Sequence, residues 1–366
     1  MQIATVKGSP GHYQIGEGAL KHLAEHLNDL HVERIAVVAG RTAWKKAKPY
    51  LPATITDNIK ERDIHFADGH CTVERTNRLA KIYQEQQIDA VIGIGGGTAL
   101  DIAKASAINA QIKSILIPTI AATCAAWTPL SVFYQEDGAH SHYTEFPAAN
   151  TLVVVEPAII AEAPVKYLKA GIGDTLAKFY EARSLVEAFY PAGILPVWLQ
   201  ISQFAARSCK DILLADSEAA IKACENNQVT DALIRVIEAI IATGGMVGGF
   251  GGKAGRIAGA HSIHNGLTAA PQIADSLHGE IVSYGILAQL VIEQDTEELQ
   301  KLLNYYEAWG FPTSLADFSI RTDDQDLLDA IAKKVTREEE SIHLMKEEIN
   351  ADKVISAFLQ LEDYSK

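Results

Sequence analysis

Three histidines fall within the stretch AGAHSIHNGLTAAPQIADSLHGE, at positions 261, 264 and 278. His261 and His264 are three residues apart and so share one face of a helix, a spacing that by itself serves core packing more often than metal binding. Two further stretches change what the pair can do. AGIGDTLAKFYEA (170–182) puts Asp174 behind Gly-Ile-Gly, where we expect a helix to start, and LHGE puts His278 at the start of another. One carboxylate and two imidazoles from separate helices make a three-ligand metal site with a position open for a substrate oxygen.

A second chemical signal is AVIGIGGGTALDIAKASA. An apolar run of the buried-strand kind passes into Gly95, Gly96 and Gly97, then into an alanine-rich helix whose first turn carries Thr98 and Asp101. Glycine lets a backbone approach a ligand closely, and free N–H groups at the positive end of a helix dipole attract anions. A diphosphate fits there, as does a turn that needs glycine for its conformation alone. The spacing is not the GxGxxG fingerprint, because Gly93, Gly95, Gly96 and Gly97 fall elsewhere. Upstream, IAVVAG leads into RTAWKKAKPY. An acidic side chain at such a strand end accepts hydrogen bonds from a dinucleotide ribose, whereas a basic one pairs with a 2′-phosphate. Arg41, with Lys45 and Lys46 one turn on, favours NADP(H) over NAD(H); the plainer alternative is a solvated basic helix start.

The elements that must carry these residues change character near residue 157. Before it, RIAVVAG (34–40), AVIGIGGG (90–97), SILIPT (114–119) and TLVVVEP (151–157) alternate with helical patterns. Continuous apolar runs of this length predict strands buried on both faces of a parallel sheet covered by helices. After it, GDTLAKFYEARSLVEAF, QVTDALIRVIEAIIATGGMVGG and ADKVISAFLQLEDY keep helical spacing. The expected fold is therefore an α/β parallel-sheet nucleotide-binding domain over 1–157 and an all-α domain over 158–366. The glycine-dense GGMVGGFGGKAGRIAGAH (244–261) predicts close helix packing or a loop, with a hinge or a close approach to ligand as the sharper alternative.

A chain of 366 residues, 48% hydrophobic and 21% charged, can bury a large core and suggests two domains. With 32 basic against 46 acidic residues and no basic run, nucleic acid and anionic membrane are poor partners, and a small molecule is the expected one. The opening MQIATVKGSPGHYQIG lacks a basic region followed by an apolar one, and we expect no stretch of the roughly 20 apolar residues that span a bilayer. Cys71, Cys124, Cys209 and Cys224 lack CxxC spacing, which argues against a disulfide framework and a cysteine zinc site. The expectation is a cytoplasmic protein with reduced thiols.

GIGGGTALDIAKA, IPTIAATCAAWTPLSVFY, AGIGDTLAKFYEA, AHSIHNGLT and LHGEIVSYG, in this order over nearly the whole chain, resemble the iron-containing alcohol dehydrogenase superfamily in its glycerol dehydrogenase-like branch. PTIAATCAAWTPLSV and the later ESIHLM (340–345) are similar to the hydroxycarboxylate dehydrogenases, which reduce 2-oxo acids. The resemblance implies a dehydroquinate synthase-like fold, a site in the cleft between the two domains, and a homo-oligomer. It implies Asp174, His261 and His278 as ligands of one divalent metal, zinc favoured over iron. His264, one turn along, would lie near the nicotinamide or substrate as a proton relay or a structural residue. Gly95, Gly96, Gly97 and Thr98 would meet the diphosphate, Thr119 and Thr128 would flank the cofactor, and Tyr134 would approach the nicotinamide. Asp101 and Leu130 complete the implied cofactor set.

Two departures sharpen the expectation. The branch usually has an aspartate at the position of Cys124, contacting a polyol hydroxyl; here an acceptor-only carboxylate gives way to a weak donor. A carboxylate beside the metal would repel an anion, so its loss suits a 2-oxo or 2-hydroxy acid and places Cys124 among the catalytic residues. Trp127 would enlarge the apolar wall of the pocket. Arg41 stands where NAD-dependent members have their ribose-binding aspartate. The expected activity is reversible hydride transfer between NADP(H) and a small 2-oxo or 2-hydroxy carboxylic acid, with NAD-dependent glycerol oxidation as the alternative. A dehydroquinate synthase-like lyase ranks below both, because little beyond Lys178 offers the basic residues that a phosphorylated substrate needs. A non-enzymatic nucleotide-binding regulator is disfavoured by the presence of all three ligand types.

Overall fold

Six parallel strands form the sheet expected for the first part of the chain: β1 (His12–Ile15), β2 (Ile35–Ala39), β3 (Ile64–Phe66), β4 (Ala90–Gly95), β5 (Lys113–Pro118) and β8 (Leu152–Val155). Their order is β1-β8-β5-β4-β2-β3. The structure is a computed structural model that describes residues 5–255 and 257–364. The apolar runs read as strands are β2, β4, β5 and β8; every residue of β4 is buried, as a central strand covered on both faces requires. On one face Val37, Ala39, Ile92, Ile94, Ile115, Ile117, Leu152 and Val154 share a core with Leu20, Leu23 and Ile55. Burying each of the larger aliphatic side chains is worth about 1.5–3 kcal/mol. On the other face lies helix α1 (Gly97–Ala110), so close that a Cβ on Gly93 would stand 2.6 Å from Ala103 Cβ.

Two short strands, β6 (Leu130–Tyr134) and β7 (His140–Glu145), form a separate antiparallel hairpin. Neither was expected, and neither were β1 and β3. β1, β3 and β7 are short or polar and lack the apolar run by which a buried strand announces itself, whereas β6, LSVFY, is apolar but short and interrupted by Ser131.

The chain divides into two compact units, Lys7–Val165 with Lys222–Gly245, and Lys166–Ile221 with the chain from Met246 onward. A single cut at 157/158 therefore misplaces Lys222–Gly245, which packs with the sheet unit. The Cys224 thiol faces the carbonyls of Ile160, Ala161 and Ala163, and Gly245 lies against Trp127. Texture alone assigns that helical segment to the helical part because its fold partner is distant in sequence.

Within the second unit, helices α2 (Val165–Phe189), α3 (Val197–Glu225), α4 (Gly259–Leu267) and α5 (His278–Glu293) dominate. The glycine-dense segment forms a helix over Gly244–Gly251 and a tight turn over Gly252–Gly255; Arg256 lies outside the described residues. Cβ atoms on Gly251 and Gly255 would come within 2.4 and 2.7 Å of Ser202 Oγ, so there the glycines serve close packing. Contrary to expectation, Asp231–Gly251 is long and apolar enough to cross a membrane by length and composition. Leu233, Val236, Ile237, Ile240 and Ile241 are nevertheless wholly buried within the protein, which makes it a core helix.

Candidate functional site

The C-terminal ends of four parallel strands line up: Phe66 pairs with Ala39, Ala39 with Ile94, and Gly95 with Pro118. Chain order reverses between β2 and β4, and such a switch point is where open α/β sheets bind ligands. Arg41, Gly95, Gly96, Gly97 and Thr119 all stand on this edge. Gly95 ends β4 with φ 152°, and a Cβ there would meet Ala99 Cβ at 2.8 Å, so glycine is required. Gly96 caps α1 without a side chain, Gly97 begins it and Thr98 is exposed, leaving the first amides of the helix open to an anion. The buried Thr119 donates its amide to the Gly95 carbonyl at 3.1 Å, carrying the pairing of β5 with β4 to this edge.

The next stretch of the implied cofactor set is held by two buried side chains that sequence reasoning missed. Lys104, 1% exposed, donates to the carbonyls of Ala125 (2.8 Å), Thr128 (3.3 Å) and Leu130, and pairs with Asp101 at 2.8 Å. Asn150 donates to the carbonyls of Ala126, Trp127 and Thr128. Together they fix the turn carrying Cys124, a partly exposed free thiol, and the partly buried Thr128 and Leu130. Asp101 is buried and accepts the Val132 amide at 3.1 Å; burial pushes its carboxyl up, with Lys104 acting against that. Its carboxylate is thus committed to the scaffold. Tyr134 lies on β6 with its ring 5.6 Å from that of His70.

Trp127 is not a pocket wall. It is 4% exposed, donates its indole N–H to Gly8 O at 2.9 Å and packs where Gly245 leaves no room for a Cβ. Arg41 is exposed and donates to both oxygens of Asp68.

In the helical unit Asp174, His261 and His278 converge, with one ligand atom of each within 4.8 Å of the others. Asp174 Oδ1 is 3.4 Å from Nε2 of His261 and 3.4 Å from Nε2 of His278. Ligands bound to zinc at about 2.0–2.2 Å in a tetrahedron stand roughly 3.3–3.6 Å apart, so the donor set fits a divalent ion. His278 does open a helix, but Asp174 lies in the interior of α2, not at a helix start. The glycine before it serves helix crossing: a Cβ on Gly173 would sit 2.3 Å from Gly279 O, and one on Gly279 would sit 1.8 Å from Ala170 O. This glycine contact brings α2 against the start of α5 and sets Asp174 beside His278.

Each candidate ligand has its own outer partner. Glu181, two helical turns after Asp174 and wholly buried, lies 2.7 Å from His261 Nδ1 and accepts the amides of Ala258 and His261 at 2.8 and 2.9 Å. His264 Nε2 lies 3.0 Å from His278 Nδ1. Lys178 Nζ lies 3.1 Å from Asp174 Oδ2. Both imidazoles therefore turn Nε2 toward the same carboxylate, the arrangement by which outer-shell groups orient metal ligands. His264 continues outward through Asn265, which donates to both oxygens of Glu340, the first residue of ESIHLM.

Electrostatics follow the same wiring. Burial works to raise the Asp174 carboxyl, but the Lys178 ammonium and bonds from both histidines hold it well below the usual range. Burial works to lower His261, yet Glu181 and Asp174 carry it up to about 9 in the metal-free site. Burial, with His278 adjoining, brings His264 down to about 3. Glu181 carries no motif of its own; its only sequence signal is the seven-residue spacing from Asp174, which puts both on one face of a helix.

Residues 10–157 match the family described as iron-containing alcohol dehydrogenase. The chain is 39% identical over 355 residues to hydroxycarboxylate dehydrogenase A of Escherichia coli (strain K12), covering 97% of this chain and 96% of that protein. It is 34% identical over 352 residues to a glycerol dehydrogenase of Pseudomonas putida, covering 96% of this chain and 95% of the relative. The crystal structure of glycerol dehydrogenase from Schizosaccharomyces pombe superposes with a TM-score of 0.85 at 27% identity, covering 100% of this chain and 91% of that one.

Proposed function

Because the chain belongs to the iron-containing alcohol dehydrogenase family and has its dehydroquinate synthase-like fold, we propose that it transfers hydride reversibly between NADP(H) and a small 2-oxo or 2-hydroxy carboxylic acid. The reading rests first on the convergence of Asp174, His261 and His278. When bound, a divalent ion, zinc before iron, supplies Lewis-acid polarisation of the substrate oxygen, and the nicotinamide supplies or takes the hydride.

The chain's own residues do the rest. Asp174, His261 and His278 hold the ion, while Glu181 and His264 fix the two imidazoles and Lys178 fixes the carboxylate. The amides at Gly96 and Gly97 bind the diphosphate. Cys124, standing where polyol-oxidising members of the branch usually have an aspartate, leaves no added anion to repel a substrate carboxylate. His264, bonded on one ring nitrogen to His278 and on the other to Asn265, is assigned a proton-relay role. Similarity to hydroxycarboxylate dehydrogenase A supports the acid substrate. A cytoplasmic location belongs to the same reading and is supported by four free thiols.

A second reading, NAD-dependent oxidation of glycerol, is favoured by one observation: the cation that would select a 2′-phosphate, Arg41, is already paired with Asp68. The similarity to glycerol dehydrogenases supports it as well. Absorbance of the reduced nicotinamide, with metal-replete protein and NADPH or NADH crossed with 2-oxobutanoate, dihydroxyacetone and, in the reverse direction, glycerol, separates the two. Turnover of 2-oxobutanoate with NADPH is expected; a preference for glycerol with NAD would overturn the first reading.

A further inference from the structure

Beyond β3 the chain runs Ala67-Asp68-Gly69, and the Ala67 amide donates to Ala39 O at 2.8 Å. That bond clips the ends of β2 and β3 together, and Arg41 and Asp68 follow it on either side. The backbone of Asp68 is held in turn: the Arg75 guanidinium donates to its carbonyl, and Gly69 adopts φ 84°. Nε of Arg41 is 3.1 Å from both Asp68 carboxylate oxygens and Nη2 is 2.6 Å from Oδ2, while the guanidinium lies 4.3 Å over the Phe66 ring. The Gly40 amide donates to Ile94 O at 3.2 Å, so this pair adjoins the turn that begins at Gly95. A dinucleotide with its diphosphate on Gly95–Gly97 would have the neighbouring end of β2 within reach of its adenosine ribose.

We propose that Arg41 and Asp68 form a two-sided reader of that ribose, in which Asp68 accepts the 2′-hydroxyl of NAD(H), Arg41 pairs with the 2′-phosphate of NADP(H), and each holds the other until a nucleotide arrives. A 2′-hydroxyl needs an acceptor, which the arginine beyond β2 cannot offer and the carboxylate beyond β3 can. A 2′-phosphate needs a cation and is repelled by the same carboxylate. With side chains 66% and 57% exposed, the pair is weak enough to be opened by either ligand. Asp68 is thus a specificity-determining residue that opposes Arg41, and the protein accepts both nucleotides.

The inference rests on the nucleotide-binding reading above, but the two fail differently. The test measures dissociation constants of NADPH and NADH by nicotinamide fluorescence, with whole metal-replete protein and no substrate, for the parent, Asp68→Ala, Asp68→Asn and Arg41→Ala. Asp68→Ala and Asp68→Asn should each shift the NADPH-to-NADH affinity ratio toward NADPH by on the order of tenfold, through release of Arg41 and loss of repulsion. Arg41→Ala should shift it toward NADH by at least as much. A ratio unmoved, within about twofold, by both Asp68 variants overturns the two-sided reader. A parent that binds NADH far more tightly, with a ratio that still moves in both directions as stated, overturns only the NADP(H) preference.

Discussion

Nδ1 of His261 lies 2.7 Å from Oε2 of Glu181, a carboxylate with no exposed surface whose other oxygen takes the backbone amides of Ala258 and His261. One side chain therefore fixes both the start of α4 and the direction in which His261 presents Nε2. A buried carboxylate engaged in this way is strongly constrained, because an unpaired charge in that position would be costly.

Glu181→Gln retains size and one acceptor but points a donor where an acceptor is needed. Metal affinity should fall by about 10- to 100-fold, measured by competition with a chromogenic chelator. A purely structural role for Glu181 would lower the unfolding midpoint and leave the affinity of the folded protein unchanged.

The contact between Gly173 and Gly279 sets how closely Asp174 approaches His278. Gly279→Ala places a methyl 1.8 Å from Ala170 O, a backbone atom that cannot swing aside. We expect about 1–3 kcal/mol or more of destabilisation in urea unfolding, accompanied by loss of bound metal as α2 and α5 separate. Full metal content in this variant would show that the ligand set does not depend on the crossing.

Lys104→Met removes a buried ammonium from three carbonyls and leaves Asp101 unpaired in the interior. The expected cost is about 3–5 kcal/mol in denaturant unfolding. Lys104→Met combined with Asp101→Leu should lose markedly less than the sum of the single changes, since neither charge is then stranded.

What the sequence makes legible follows from the physics of burial. Continuous apolar runs identify β2, β4, β5 and β8 because strands covered on both faces have no polar alternation to hide them. The peripheral HYQI of β1, the three-residue IHF of β3 and the exposed HSHYTE of β7 carry no such run. The three candidate metal ligands are legible as types and, by resemblance, as positions. The supports are not legible, because Glu181 behind His261, and Lys104 and Asn150 under the turn that carries Cys124, act on groups more than twenty residues away. The Gly-Ile-Gly before Asp174 looks like a helix start and is a helix crossing, since glycine serves both close packing and turns. Asp68 escapes sequence reading for a similar reason: its partner Arg41 is 27 residues away and meets it only through the pairing of β2 with β3.

Removing the metal and returning it tests the role of Asp174, His261 and His278 directly. Metal-depleted parent and Asp174→Ala proteins are titrated with zinc and with ferrous iron, and bound ion per chain is recorded together with the rate of NADPH-dependent 2-oxobutanoate reduction. The parent should bind one ion per chain with a rate that rises in proportion to it, and Asp174→Ala should show neither binding nor turnover. Full turnover by the metal-depleted parent, or an Asp174→Ala protein that holds one ion and keeps the parent's rate, would contradict that role.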